Sequence, residues 1–166
     1  MHRKAAGCWP HVPPKCLRYD HDVQQPYSPM VADAQGNLYG TTYEGGITTC
    51  DNGQCNGGVF RLSPPSPKGA SWTETVLYMF GSNPNDGGWP VAGMIFDKQG
   101  NLYGTTTGGG VYGNGIVFEL SPPTSGSTAW TETILYNFGA AGTYDGRIPW
   151  AAVDCKTPPE SFTTKT

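Results

Sequence analysis

The chain has 166 residues, of which 37% are hydrophobic, 12% aromatic and only 14% charged, with a formal net charge of −3. That is enough apolar content for one domain with a core, and it argues against a disordered polyampholyte. Scattered Lys and Arg in a mildly acidic chain leave no electrostatic footprint for nucleic acid or an anionic membrane surface, and no apolar run reaches the roughly 18–20 residues of a membrane span.

Residues 1–21 match nothing later in the chain. They open MHRKAAGCWPHVPP, where proline and histidine interrupt the apolar stretch that a signal peptide needs, so no signal peptide is visible. All three histidines (His2, His11, His21) fall here with Cys8 and Cys16, at a spacing that fits no standard zinc pattern.

From residue 22 onward the chain is periodic. GNLYGTT at Gly36–Thr42 returns at Gly100–Thr106, each copy three residues after an aspartate, Asp33 or Asp97. WTETVLYMF from Trp72 returns as WTETILYNF from Trp130, and D-x-x-x-P occurs at Asp22–Pro26, Asp86–Pro90 and Asp145–Pro149. Fixed-order self-similarity of this kind marks a repeat architecture. The tandem domain is expected to span 22–153, with units at 22–85 and 86–144 and the start of a third at 145–153. Residues 154–166 form a non-repeat tail.

Each unit predicts four strands in order. In the second unit MIFD (Met94–Asp97) leads into DKQG, with Asp and Gly at the ends of a type I turn. Gly100 then takes the left-handed conformation of a bulged hairpin. NLYGTT is the return strand, and a glycine-rich loop leads to GGVFRL or GIVFEL, which stops at Ser-Pro-Pro. TETVLYMF or TETILYNF is the fourth strand. No ten-residue stretch carries a helical stripe. Tandem four-stranded antiparallel units predict an all-β fold of β-propeller-type blades, about two per chain, with other all-β solenoids as the alternative stacking. A propeller ring needs roughly four to eight blades, so the ring is expected to be completed by oligomerisation, as a closed homo-oligomer or a self-associating fragment.

The set D-x-x-G-N-L-Y-G-T-T, G-x-V-F-x-L-S-P, W-T-E-T-x-L-Y-x-F and D-G-x-x-P resembles the choice-of-anchor tandem repeat GloVer-containing proteins over residues 22–153. The resemblance implies a surface or secreted array, extracellular or periplasmic, and implies no particular activity. The D-x-x-G-N-L-Y turn is more distantly similar to blade turns of gluconolactonase-like β-propellers.

No nucleophile elbow, H-E-x-x-H motif or phosphate loop is present. In a propeller-like arrangement, the loop between blades and the loop between second and third strands open on one face. Those loops present Asp86, Trp89, Asp145 and Arg147, together with Tyr43, Glu44, Asp51, Asn52, Tyr112 and Asn114. Acids, amides and exposed aromatics suit a glycan or another small-molecule ligand, and equally an oxygen-ligated Ca²⁺. Trp89 aligns with Ile148 and is the expected aromatic contact. Asp86 and Asp145, each followed by Gly, are equally explained as turn residues. Two functional readings follow. The first is an extracellular module that binds a glycan or surface ligand through its rim loops. The second, carried by the distant resemblance, is a Ca²⁺-dependent lactonase-like hydrolase, with Asp86 and Asp145 as metal ligands and Asp86, Asp145 and Glu44 as catalytic candidates. Cys50 and Cys55 form either a local disulfide in an oxidising compartment or two reduced loop thiols. The repeated Trp and Tyr residues are expected in blade-to-blade packing, and Glu74 and Glu132 at strand edges.

Overall fold

A computed structural model describes residues 26–45, 56–66, 71–140 and 149. Among the described residues the fold is all-β and antiparallel, with no helix, and so none long and apolar enough to cross a membrane. The first unit forms a four-stranded sheet of β1 (Val31–Ala32), β2 (Leu38–Thr42), β3 (Gly58–Ser63) and β4 (Thr73–Met79), adjacent in space in that order. The second forms a matching sheet of β6 (Ile95–Phe96), β7 (Leu102–Thr105), β9 (Ile116–Ser121) and β10 (Thr131–Asn137), again with sequential neighbours. Two short strands that sequence patterning does not predict, β5 (Gly87–Gly88) and β8 (Gly108–Gly109), pair to tie the inter-repeat loop to the loop preceding β9.

The repeated phrase is a hairpin built around one carboxylate. Asp33 Oδ1 accepts the N–H groups of Gln35 and Asn37, both at 2.9 Å. Its Oδ2 accepts Asn37 Nδ2 at 2.7 Å and the Tyr39 hydroxyl at 3.0 Å. Asp97 repeats this with Gln99, Asn101 and the Tyr103 hydroxyl, at 2.7–3.1 Å. D-x-x-G-N-x-Y therefore reads as one acceptor set and the four donors that fill it. Partial burial works against the charge of each Asp, but the hydrogen bonds outweigh it and hold both carboxyls below their ordinary range. The turn closes with Gly36 N–H donating to Asp33 O, and places Gly36 at φ 80° and Gly100 at φ 87°, the left-handed region that glycine enters freely.

Register is conserved between the sheets. Gly40 pairs with Phe60 as Gly104 pairs with Phe118, and Tyr39 with Arg61 as Tyr103 with Glu119. Leu77 and Leu135 are the unpaired residues of equivalent bulges in β4 and β10. Along β9 the buried Ile116, Phe118 and Leu120 alternate with half-exposed Val117, Glu119 and Ser121, the period of a strand with one covered face. That face meets Tyr39, Val59 and Phe80 of the first sheet in one core, and Phe80 stands edge-on to Phe118 with centroids 5.2 Å apart. A Cβ on Gly104 would lie 2.6 Å from Phe118 Cζ, and one on Gly40 2.7 Å from Phe60 Cζ, so each central phenylalanine lies across a glycine.

The two kinds of glycine predict different penalties. Gly104→Ala overpacks the core against Phe118 and should cost about 1–3 kcal/mol. Gly100→Ala meets open space, and its cost of about 1–2 kcal/mol comes from the left-handed backbone alone. Urea unfolding of both variants measures the difference. In a Phe118→Leu background Gly104→Ala should cost less than it does in the wild type, whereas the cost of Gly100→Ala should be unchanged.

Candidate functional site

The loop leaving β4 turns back through residues 81–86 and is held by Asp86, a carboxylate only 6% exposed. Asp86 Oδ2 accepts Gly81 N–H at 2.9 Å, Ser82 N–H at 3.1 Å and the Tyr78 hydroxyl at 3.0 Å, while Oδ1 accepts Gly87 N–H at 2.7 Å. Tyr78 comes from the first sheet. Across the junction its hydroxyl also lies 3.0 Å from Glu132 Oε2 on β10, and it accepts Asn83 Nδ2 at 3.0 Å. One hydroxyl proton cannot serve two carboxylates, so Tyr78 donates to either Asp86 or Glu132 at any moment.

The second carboxyl contact then favours a proton on the carboxyl itself. Burial, followed by the nearby charge of Asp86, pushes the Glu132 carboxyl up to about 8. Its Oε1 is a buried oxygen with no hydrogen-bond partner, a poor environment for a full charge. The Tyr78 hydroxyl is shifted far upward by burial and by the two carboxylates around it. Tyr78, Asp86 and Glu132 thus form a polar clasp joining two repeats. Glu132 alternates with apolar neighbours on an edge strand, and nothing in that pattern points to its partners. The signal that could have found them is that Tyr78, Asp86 and Glu132 all belong to the repeated motifs.

A second feature is lined by residues of both sheets. A cleft of about 900 Å³ opens beside the 33–36 and 97–100 turns, with Arg61, Thr75, Trp130 and the Pro122–Pro123 loop on its walls. Tyr39 stands edge-on to Phe96 (4.9 Å) and to Trp130 (6.5 Å), so aromatic rings line the junction at this point. Arg61 Nε is buried there with no hydrogen-bond partner. These turns and the loop after β9 lie at the opposite strand ends from the loops that sequence reading favoured.

Of those favoured residues, Trp89 is half-buried at φ 55°, its ring against Gly108, with its N–H donated to Asn56 O and its carbonyl accepting Thr107 N–H and Oγ1. Tyr43 is half-buried edge-on to Tyr27 at 5.7 Å, and Glu44 is half-buried beside it in the chain. Tyr112 is 48% exposed, and Asn114 donates to its carbonyl at 3.0 Å. The β5–β8 pair brings the Asp86–Trp89 loop to the 106–115 loop. Asp51, Asn52, Asp145, Arg147, Cys50 and Cys55 lie outside the described residues, as do the histidines. Among the described residues no three His, Cys, Asp or Glu side chains converge as a metal site.

Paired four-stranded sheets with identical turns, identical register and a shared core define a tandem all-β repeat protein. Over residues 17–156 the chain matches the Gloeobacter/Verrucomicrobia repeat, and it belongs to that family. It matches no curated protein and no solved structure.

The clasp sets a pH dependence. A carboxyl whose folded pKa is raised contributes full stability below its unfolded value and loses it as pH rises through the folded one. For Glu132 the loss runs from about 4.5 to about 8. Asp33 and Asp97 are shifted the other way, so their contribution is present above the ordinary Asp value and lost as pH falls through their lowered ones. The thermal midpoint should therefore peak in mild acid and decline toward alkaline pH. Glu132→Gln should remove the alkaline decline and leave the acid limb intact, as read by circular dichroism melts across pH.

Proposed function

We propose that this chain is an extracellular, propeller-type β-repeat module that binds a glycan in the cleft between its repeats. The observation that carries this reading is the lining of the cleft. Aromatic surface from Phe96 and Trp130 lies beside the Arg61 guanidinium, whose buried Nε lacks a partner, and beside the exposed ends of Gln35 and Gln99. A sugar presents an apolar ring face for the aromatics and hydroxyls for a fixed cation and amides, which is the usual composition of such a site. The Asp33 and Asp97 carboxylates beside it already accept four hydrogen bonds each, so they serve the turns and leave recognition to Arg61 and the amides.

The calcium-hydrolase alternative draws no support from Asp86, whose oxygens accept three backbone N–H groups and a tyrosine. Trp89 likewise has its ring occupied by Gly108.

A glycan array of neutral and uronic-acid oligosaccharides, followed by calorimetry on the best binder, tests the proposal. Arg61→Met and Trp130→Ala should each weaken binding by roughly tenfold or more, the loss of about 1.4 kcal/mol or more, while Tyr112→Ala on the other loops leaves it unchanged. Absence of binding across the array, or loss with Tyr112→Ala alone, would overturn the cleft assignment.

A further inference from the structure

Four charged side chains line the cleft, Asp33 and Arg61 from the first repeat and Asp97 and Lys98 from the second. They differ in what they have left to offer a ligand. Each aspartate accepts four hydrogen bonds from its own turn, which fills the lone-pair sites of a carboxylate. The cations are unspent. Among the described residues neither Arg61 nor Lys98 forms an ion pair, and Arg61 Nε is buried without a hydrogen-bond partner. Glu119, which holds the place of Arg61 in the second sheet, does not line the cleft and accepts the Ser121 hydroxyl at 3.0 Å. A half-buried guanidinium gives up hydration and recovers it only through an acceptor, so a wall that supplies none favours a ligand that does.

The fold holds the two cations differently. Strand register sets Arg61 in one row with Tyr39 on β2 and Thr75 on β4, and all three line the cleft. The Tyr39 hydroxyl beside it is tied to Asp33 at 3.0 Å. Lys98 is exposed in the Asp97 turn, where the first repeat has Ala34. A planar guanidinium based on a strand suits two-pronged contact with a carboxylate, and a flexible ammonium at the lip suits a single ionic contact. Asp33 and Asp97 set the opposite bound. Their charges stay near the cations, so a densely anionic chain is repelled where one carboxylate per sugar ring is accepted.

We infer that the cleft selects an oligosaccharide bearing uronate carboxylates, an inference that rests on the glycan reading of the site. Arg61 pairs with a ring carboxylate, and Lys98 with a carboxylate at the lip. Selection lies in these charges, while the aromatic surface of Phe96 and Trp130 serves acidic and neutral rings alike.

Oligogalacturonate and oligomannuronate, each compared with its own methyl ester, isolate the carboxylate, because acid and ester share the same rings. By calorimetry the full chain should bind at least one acid about tenfold or more tighter than its ester. Rising NaCl should erode that advantage. Arg61→Met and Lys98→Ala should each move the acid-to-ester ratio toward one. Lys98→Ala only installs the residue that the first turn already carries, so it decides the matter even if Arg61→Met misfolds. Trp130→Ala should weaken acid and ester together and leave the preference in place. Esters that bind as well as the acids or better, and lose affinity in Trp130→Ala, would overturn the uronate assignment while the glycan cleft stands. So would a preference for acid that survives both charge variants, or tighter binding of a sulfated galactan oligosaccharide. Failure of the acids, the esters and every neutral oligosaccharide to bind would remove the glycan reading itself, and this inference with it.

Discussion

A four-stranded antiparallel sheet with an apolar face loses stability unless another surface covers it, and here each repeat is too small to cover its own. The face-to-face packing of the two sheets, centred on Phe80 against Phe118 with Leu102, Ile116 and Leu120 around them, is the interaction on which the rest depends. It explains why Gly40 and Gly104 sit mid-strand, where glycine otherwise weakens a sheet. The central phenylalanine of each sheet needs the space directly over the neighbouring strand. It explains the Asp33 and Asp97 turns as well. The short first strands, two residues each, are held in place by a carboxylate that binds four donors.

The polar clasp at the same junction works against a background of burial. Tyr78, Asp86 and Glu132 put two carboxyls around one hydroxyl, an arrangement that favours a proton on one of the carboxyls. An apolar contact would tolerate sliding of one sheet over the next. A hydroxyl that must meet a turn carboxylate and a strand carboxyl permits one relative placement. Asp86 therefore does two jobs, closing the turn that carries the chain from one repeat to the next and receiving the side chain that locks those repeats together.

The cleft follows from the same packing. Beside the Asp turns the junction opens into the cleft, with Trp130, Phe96 and Arg61 on its walls. A cleft that lies between repeats rather than within one is a property of their packing. Arg61 is replaced by Glu119 at the equivalent place in the second sheet, so the charge at that position reverses from one repeat to the next.

Much of this architecture was legible in the sequence because turns and strand periods are local. Asp, Gly, Asn and Tyr at fixed offsets specify the hairpin through hydrogen bonds spanning six residues or fewer, and the alternation of Ile116, Phe118 and Leu120 marks a covered face. The all-β class, the two four-stranded units and the repeat family follow from that much. The β5–β8 pairing was not legible, since two glycine pairs carry no hydrophobic period. Nor was the burial of Trp89, which comes from Gly108, distant in sequence. The partners of Glu132 were hidden for the same reason, because Tyr78 lies 54 residues away. Sequence alone determined the repeat, its turns and which strand faces are apolar. Only the tertiary structure decided which polar groups meet across the junction and where the cleft opens, because both depend on how two similar sheets pack against each other, and no local pattern encodes that.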